Sequence, residues 1–134
     1  MHLKPEARHT RQVRVETHMT ARSVSDVAGE HYPSVLGTPF LVAELERTAA
    51  ALLQDDLAPG EASVGVDVQI RHLAPTSVGD TLSCQARYSG REDKLFWFDV
   101  TASDSGGLVA KGRHSRAIVP LADIETKAAA RRAP

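Results

Sequence analysis

One cysteine, Cys84, is all that 134 residues contain, so the chain has no intrachain disulfide framework. No set of spaced cysteines and histidines suggests a zinc site either. Charge of one sign is missing as well. A formal net charge of −1 gives no general pull toward nucleic acid or an anionic membrane surface. No apolar run approaches the roughly 20 residues needed to cross a bilayer, and the first residues lack the apolar segment of a secretory signal. A cytoplasmic protein is the expectation. Internal repeats and low-complexity tracts are also absent. What remains, at 42% apolar residues, is one domain with enough material for a real core.

The organising stretch is Gly37 to Leu53, which reads as one helix with a sharp start. Thr38 is suited to cap it through its hydroxyl, and Pro39 to open it with its fixed φ. On a helical projection Val42, Leu45, Ala49, Ala50, Leu52 and Leu53 share one arc, with Glu44, Arg47, Thr48, Gln54 and Asp55 opposite. Glu46 projects into the apolar arc, where a carboxylate is costly unless it is paired or protonated.

Ahead of the helix, residues 1–10 read as a flexible terminus, and Val13 and Val15 alternate with polar neighbours as a short strand. Residues 21–36 have no clean period and read as a loop with one helical turn, in which His31 and Tyr32 are the natural contacts for a pocket. After the Pro59-Gly60 break, Val64, Val66, Val68, Ile70 and His72 lie on one face of a strand. Three more strands follow. Leu82, Cys84, Ala86 and Tyr88 form the inward face of the next one. Phe96, Phe98, Val100 and Ala102 form that of the third, beyond a connection at Ser89 to Asp93. Leu108, Ala110, Gly112, His114, Arg116 and Ile118 share a face of the last. Residues 121–134 are expected to fray or form a short helix, leaving 11–120 as a single domain. Short turns force antiparallel neighbours, so the fold class is α+β, one helix against one antiparallel sheet.

This order resembles the hotdog fold, an antiparallel sheet of about five strands wrapped around a long central helix. Pro75 to Leu82 and Gly107 to Gly112 resemble segments of hotdog acyl-CoA thioesterases. Within that superfamily the chain is similar to the fluoroacetyl-CoA thioesterase group, and Leu57 to Gly65 matches its helix-to-strand segment. A Thr opens the group's central helix, a Glu follows eight residues on, a His lies on the next strand and an Arg near the end. Here they are Thr38, Glu46, His72 and Arg116. Pro39 stands where that pattern has Gly, so the preference for a fluorinated substrate is not carried over.

The resemblance implies hydrolysis of a small acyl-CoA thioester without a cofactor, coenzyme A being part of the substrate. Glu46 and His72 would handle protons, and Thr38 would be the nucleophile or position the water or substrate. The free N–H groups of the helix start, those of Phe40 and Leu41, would receive the oxyanion. Gly65, Arg116 and Tyr32 complete the substrate contacts, with His114 able to take the place of Arg116 or His72. Thr38 and Glu46 are about 12 Å apart along the axis and roughly 80° around it, so they cannot touch. A third group or the substrate has to span the gap, and His72, in the same subunit or across a dimer, is the candidate. A homodimer is expected, since one sheet on one helix leaves an open edge. The alternatives are a non-catalytic acyl-CoA-binding dimer and a hotdog hydratase. Asp67 and His72 have a spacing the latter can show, but strand parity sends the two to opposite faces.

Overall fold

The computed structural model describes residues 2–134. Five strands form one antiparallel sheet in the order β1-β3-β4-β5-β2, and one long helix lies against it. The elements are β1 (Arg8–Arg14), α1 (Thr38–Leu53), β2 (Glu61–His72), β3 (Thr81–Glu92), β4 (Leu95–Asp104), β5 (Gly107–Pro120) and α2 (Leu121–Ala130). Short 3-10 turns at Thr17–Met19, Ala21–Val24 and Gln54–Asp56 flank the central helix. The core lies between Leu41, Leu45, Ala49 and Leu53 of α1 and Leu82, Ala86, Phe98, Val100, Ala102 and Ala110 of the sheet, all fully or almost fully buried. Each large aliphatic or aromatic side chain there contributes ~1.5–3 kcal/mol. No helix among the described residues is long and apolar enough to cross a membrane.

Several sequence expectations are corrected. The first strand begins at Arg8, inside the stretch expected to be a flexible terminus, and pairs from Arg8 opposite Arg87 to Arg14 opposite Thr81. The side chains of Arg8, His9 and Thr10 are polar and exposed, which leaves no hydrophobic period to read at the strand's start. The backbone N–H groups of His2 and Leu3 donate to the Asp56 carboxylate at 2.6 and 3.0 Å.

The buried stripe of α1 is also rotated from the expected arc, running through Leu41, Glu44, Leu45, Thr48, Ala49 and Leu53. Glu44 is tolerated there because Arg11 Nε donates to it at 2.8 Å and Arg47 pairs with it as well. Thr48 Oγ1 donates back to the Glu44 carbonyl at 2.7 Å, which removes its own burial penalty.

Three register shifts break the alternation. In β2 the register slips between Gly65 and Asp67, so Val66 is the extra residue of a bulge. Val66 is therefore exposed, at 53%, although parity placed it with the core, whereas Val68 keeps the helix-facing side with Ile70 and His72 and is 46% exposed on the edge strand of the sheet. A second slip, between Ala102 and Ser103, buries Val109 and leaves Leu108 outside. The hairpin expected at Ser89 to Asp93 turns later, at Asp93-Lys94, with Asp93 at φ 55°; Gly90 instead takes part in a third irregularity.

Candidate active site

The start of α1 is not capped by Thr38. Gly37 takes that position with an extended backbone, and Thr38 is the first helical residue. A Cβ on residue 37 would lie 2.9 Å from the Ala21 amide nitrogen, so glycine permits the close approach of the preceding segment. The Gly37 N–H donates to the Met19 carbonyl at 2.8 Å and anchors it. The Thr38 hydroxyl, released from capping, lies 2.8 Å from His72 Nδ1.

His72 is the last residue of β2, on the helix-facing side. Its Nε2 is buried and has no hydrogen-bond partner among the described residues. The main-chain donors expected at this helix end are spent. Phe40 and Leu41 both donate to the Gly37 carbonyl at 3.0 Å. Pro39 has no N–H, so the Thr38 amide is the donor without a backbone acceptor among the described residues.

Glu46 lies at the other end of β2. A Cβ on Gly65 would be 2.5 Å from Glu46 Oε1, so the bare glycine makes room for the carboxylate. Arg116 Nη1 donates to the same oxygen at 3.4 Å. Arg116 is itself held, with Nε on Ser63 Oγ at 2.9 Å and Nη2 on the Ser63 carbonyl at 2.8 Å. The Glu46 side chain remains 36% exposed, with Oε1 turned to Arg116.

His114 Nε2 is also 3.7 Å from Glu46, a distance that suggests an ion pair. The hydrogen bonds say otherwise. Nδ1 lies 2.7 Å from the Asp67 carbonyl, which can only accept, so the ring proton sits there. Nε2 is then the lone pair that receives Arg116 Nη1 at 3.1 Å. Burial pushes the His114 pKa below its ordinary value, against the raising effect of the Asp67 hydrogen bond, and Arg116 lowers it further. His114 is a neutral prop for Arg116, not a base. Burial also lowers the pKa of Arg116, and Glu46 opposes that shift.

Stability should depend on this. The unfolded chain takes up a proton at residue 114 as the pH falls below about 6.5, whereas the folded chain resists it. The contribution is complete above that value and lost below it. A urea midpoint measured at pH 7 and pH 5 should fall, and fall less in His114→Asn, which does not titrate.

Within one chain Thr38 and His72 are together, Glu46, Gly65 and Arg116 are together, and the two groups are not in contact. Gly65 and His72 are about 20 Å apart along the strand. Tyr32, expected at the substrate, is 47% exposed. With His31, Arg22, Ser25, Glu30 and Pro33 it lines a separate hollow that includes none of Thr38, Glu46 or His72. The Asp67 carboxylate accepts from Ser115 Oγ at 2.6 Å, on the face away from His72. Burial lifts the Cys84 pKa to about 12, so that thiol offers no nucleophile. Ser63, which holds Arg116, has no signal in a strict alternation. The signal was Gly65 inside a strand, a common mark of a bulge.

The profile of the fluoroacetyl-CoA-specific thioesterase family, FlK, matches residues 15–122. The chain belongs to this family. It is 29% identical to the fluoroacetyl-CoA thioesterase of Streptantibioticus cattleyicolor over 122 residues, 90% of this chain and 88% of that one. A solved structure of the fluoroacetyl-CoA thioesterase FlK superposes with a TM-score of 0.91 at 26% identity, covering 97% of this chain and 98% of that one. A hot-dog-like protein from Thermanaerovibrio acidaminovorans shares the fold at a TM-score of 0.83 and 22% identity, over 98% and 95% of the two chains. This FlK-family chain is thus a thioester hydrolase with the hotdog fold, as the sequence resemblance implied.

Proposed function

We propose that this FlK-family thioesterase hydrolyses small acyl-CoA thioesters at a site shared by two subunits. In it Thr38 is the nucleophile, His72 its base, and Glu46 of the partner subunit the group that orients the base. The observation that carries this reading is the 2.8 Å contact between Thr38 Oγ1 and His72 Nδ1, the spacing of an activated hydroxyl and its base. With its proton on Nε2, His72 accepts the Thr38 hydroxyl proton at Nδ1. Oγ1 then attacks the thioester carbonyl carbon, and the developing oxyanion meets the unbonded Thr38 amide. The C–S bond breaks, the proton passes from His72 to the leaving thiolate, and a water that the same imidazole deprotonates attacks acyl-Thr38; the C–Oγ1 bond breaks, the proton returns from His72 to Oγ1, and the carboxylic acid leaves.

The shared site follows from the edges of the sheet. The β1 edge is defended by Arg8, His9, Arg11 and Arg14. The β2 edge is twelve residues long and exposes Val66 and Val68. Antiparallel pairing of two β2 strands about a two-fold axis at Gln69, with the bulge residue Val66 left out of the count, sets Gly65 of one subunit opposite His72 of the other. Both helices then lie on the same side of a continuous sheet. Glu46 of the partner subunit comes to the orphaned Nε2 of His72, a donor that is costly to leave buried without an acceptor.

Mixing tests the arrangement. His72→Ala and Glu46→Gln are each expected to be inactive. Unfolded together and refolded in equal amounts, they should form heterodimers with one intact site and regain about a quarter of wild-type activity. A site contained in one chain recovers nothing. Wild-type protein that binds acyl-CoA but releases no thiol would leave the non-catalytic reading in its place.

Thr38 gives a second check. Because Gly37 caps the helix, Thr38→Ala should cost less than about 1 kcal/mol of stability, a figure typical of a lost cap. The same substitution should lower kcat by ~100-fold or more, while Thr38→Ser retains most of it. Melting curves and thiol release on the same preparations read both quantities.

A further inference from the structure

Behind the strand that carries His72, the outward face of the sheet holds a trench of about 580 Å³. Its floor is Ile70, Gly112 and Val100, neighbours on β2, β5 and β4. One wall is the cross-strand row Arg71, Lys111 and Thr101, and the other is Gln69, Arg113 and Asp99. Arg71 and Lys111 stand directly opposite each other, both exposed, and neither forms an ion pair among the described residues. Like charges in that position repel and destabilise the strand pair. The third cation, Arg113, is stacked on the Trp97 ring, with Cζ 4.3 Å from its centroid. A fixed guanidinium plane of this kind is a surface on which a nucleobase can stack. The one acid of the trench, Asp99, is paired with Arg87 and also lies 4.0 Å from Arg113 Nε, which leaves Arg71 and Lys111 as the unpaired cations. The trench is thus a cationic site in a chain whose net charge is only −1.

We infer that this trench binds the 3′-phosphorylated ADP end of the acyl-CoA substrate, with Arg71 and Lys111 on the phosphates and Arg113 against the adenine. The inference rests on the thioesterase reading above, and the topology links it to the reaction. Arg71 and His72 are consecutive on β2, so they project to opposite faces of the sheet at the same strand end. The nucleotide lies outside and the thioester inside, joined by the pantetheine arm passing the end of β2 at the half-exposed Leu73. A second copy of this chain is a poor occupant, because packing two such faces together would set the same cations against each other.

Steady-state hydrolysis of acetyl-CoA and of acetyl-pantetheine, which lacks the nucleotide, separates the contributions. For the double variant Arg71→Ala, Lys111→Ala at low ionic strength, KM for acetyl-CoA should rise by about tenfold or more with kcat within about twofold of wild type. Both parameters for acetyl-pantetheine should stay unchanged. Calorimetric titration with adenosine 3′,5′-bisphosphate, which needs no turnover, should detect binding to the wild type that the double variant loses. An unchanged KM for acetyl-CoA, an equal rise for both thioesters, or no heat from the bisphosphate on wild type would overturn the inference. So would a change of oligomeric state in the double variant by light scattering, which would make this face a subunit contact. A wild type that cleaves neither thioester defeats the thioesterase reading alone, and the titration still decides the trench.

Discussion

Glu46→Gln is expected to lower turnover by ~10²–10⁴-fold, the range lost when a positioned proton-handling group is removed, and to leave the fold nearly untouched. The structure argues for both halves. Arg116 keeps its two hydrogen bonds to Ser63 in the variant, and a glutamine carbonyl oxygen can still accept from Nη1, so no buried donor is stranded. In the proposed shared site, what glutamine cannot supply is the negative charge that would favour an imidazolium on the partner subunit's His72 as the Thr38 proton moves onto it. KM should change little, because the loss falls on the transition state. Stopped assays of thiol release beside thermal melts would measure the two effects. A loss of only a fewfold would reduce Glu46 to the counter-ion of Arg116 and leave His72 without its orienting carboxylate.

Gly112→Ala should act on the fold. A Cβ there would fall within the van der Waals envelope of the Gln69 carbonyl oxygen, and 2.9 Å from both the Gln69 carbonyl carbon and Ile70 Cα. These are backbone atoms of the neighbouring strand, so no side-chain rotation relieves the overlap. β2 has to part from β5 at the Ile70–Gly112 pair, and both arms of the active site hang from that strand. A loss of ~3 kcal/mol or more is expected, a large part of the 5–15 kcal/mol that such a domain commonly has. The melting temperature should fall by about 10 °C or more. The contrast is Gly65→Ala, where the added methyl meets the tip of the Glu46 side chain. That tip can swing away and the His114 ring, 3.2 Å from the added carbon, needs to give only slightly, so the stability loss should be much smaller than at Gly112 while activity drops. Equal melting temperatures for Gly112→Ala and wild type would show that β2 gives way more easily than this geometry allows.

Much of this was legible in the sequence. Helix α1, the four long strands and the antiparallel order follow from periodicity and turn chemistry, and Phe96, Phe98, Val100 and Ala102 are buried as alternation required. Glu46 stands out in the sequence as a carboxylate inside the apolar arc, but the arc is rotated so that Glu44 is the buried acid, and Glu46 is 36% exposed and paired with Arg116. His72 faces the helix, but for a different reason from the one parity supplied. Alternation counted from Val64 ignores the bulge, and only residues beyond Val66 keep the even face toward α1. The capping role of Thr38 was misread because Gly37 and Thr38 are both plausible caps, and the choice is made by Ala21 packing against the glycine. Glu44 and Thr48 were assigned to water because their partners, Arg11 and the helix carbonyl, are contacts that no local pattern encodes.

The bulge at Val66 also bears on how this chain can change length over evolution. Before it, Ser63 and Gly65 face Arg116 and Glu46; after it, Ile70 and His72 face α1. The odd-numbered and even-numbered halves of one strand serve the same side of the sheet only because a single surplus residue separates them. Deleting any one residue between 66 and 71 would therefore turn one half over, putting either the Arg116 support or the imidazole into solvent. Insertions and deletions in functional descendants should be confined to the turns beyond either end of β2, and an alignment that opens a gap inside it has lost the register of the active site.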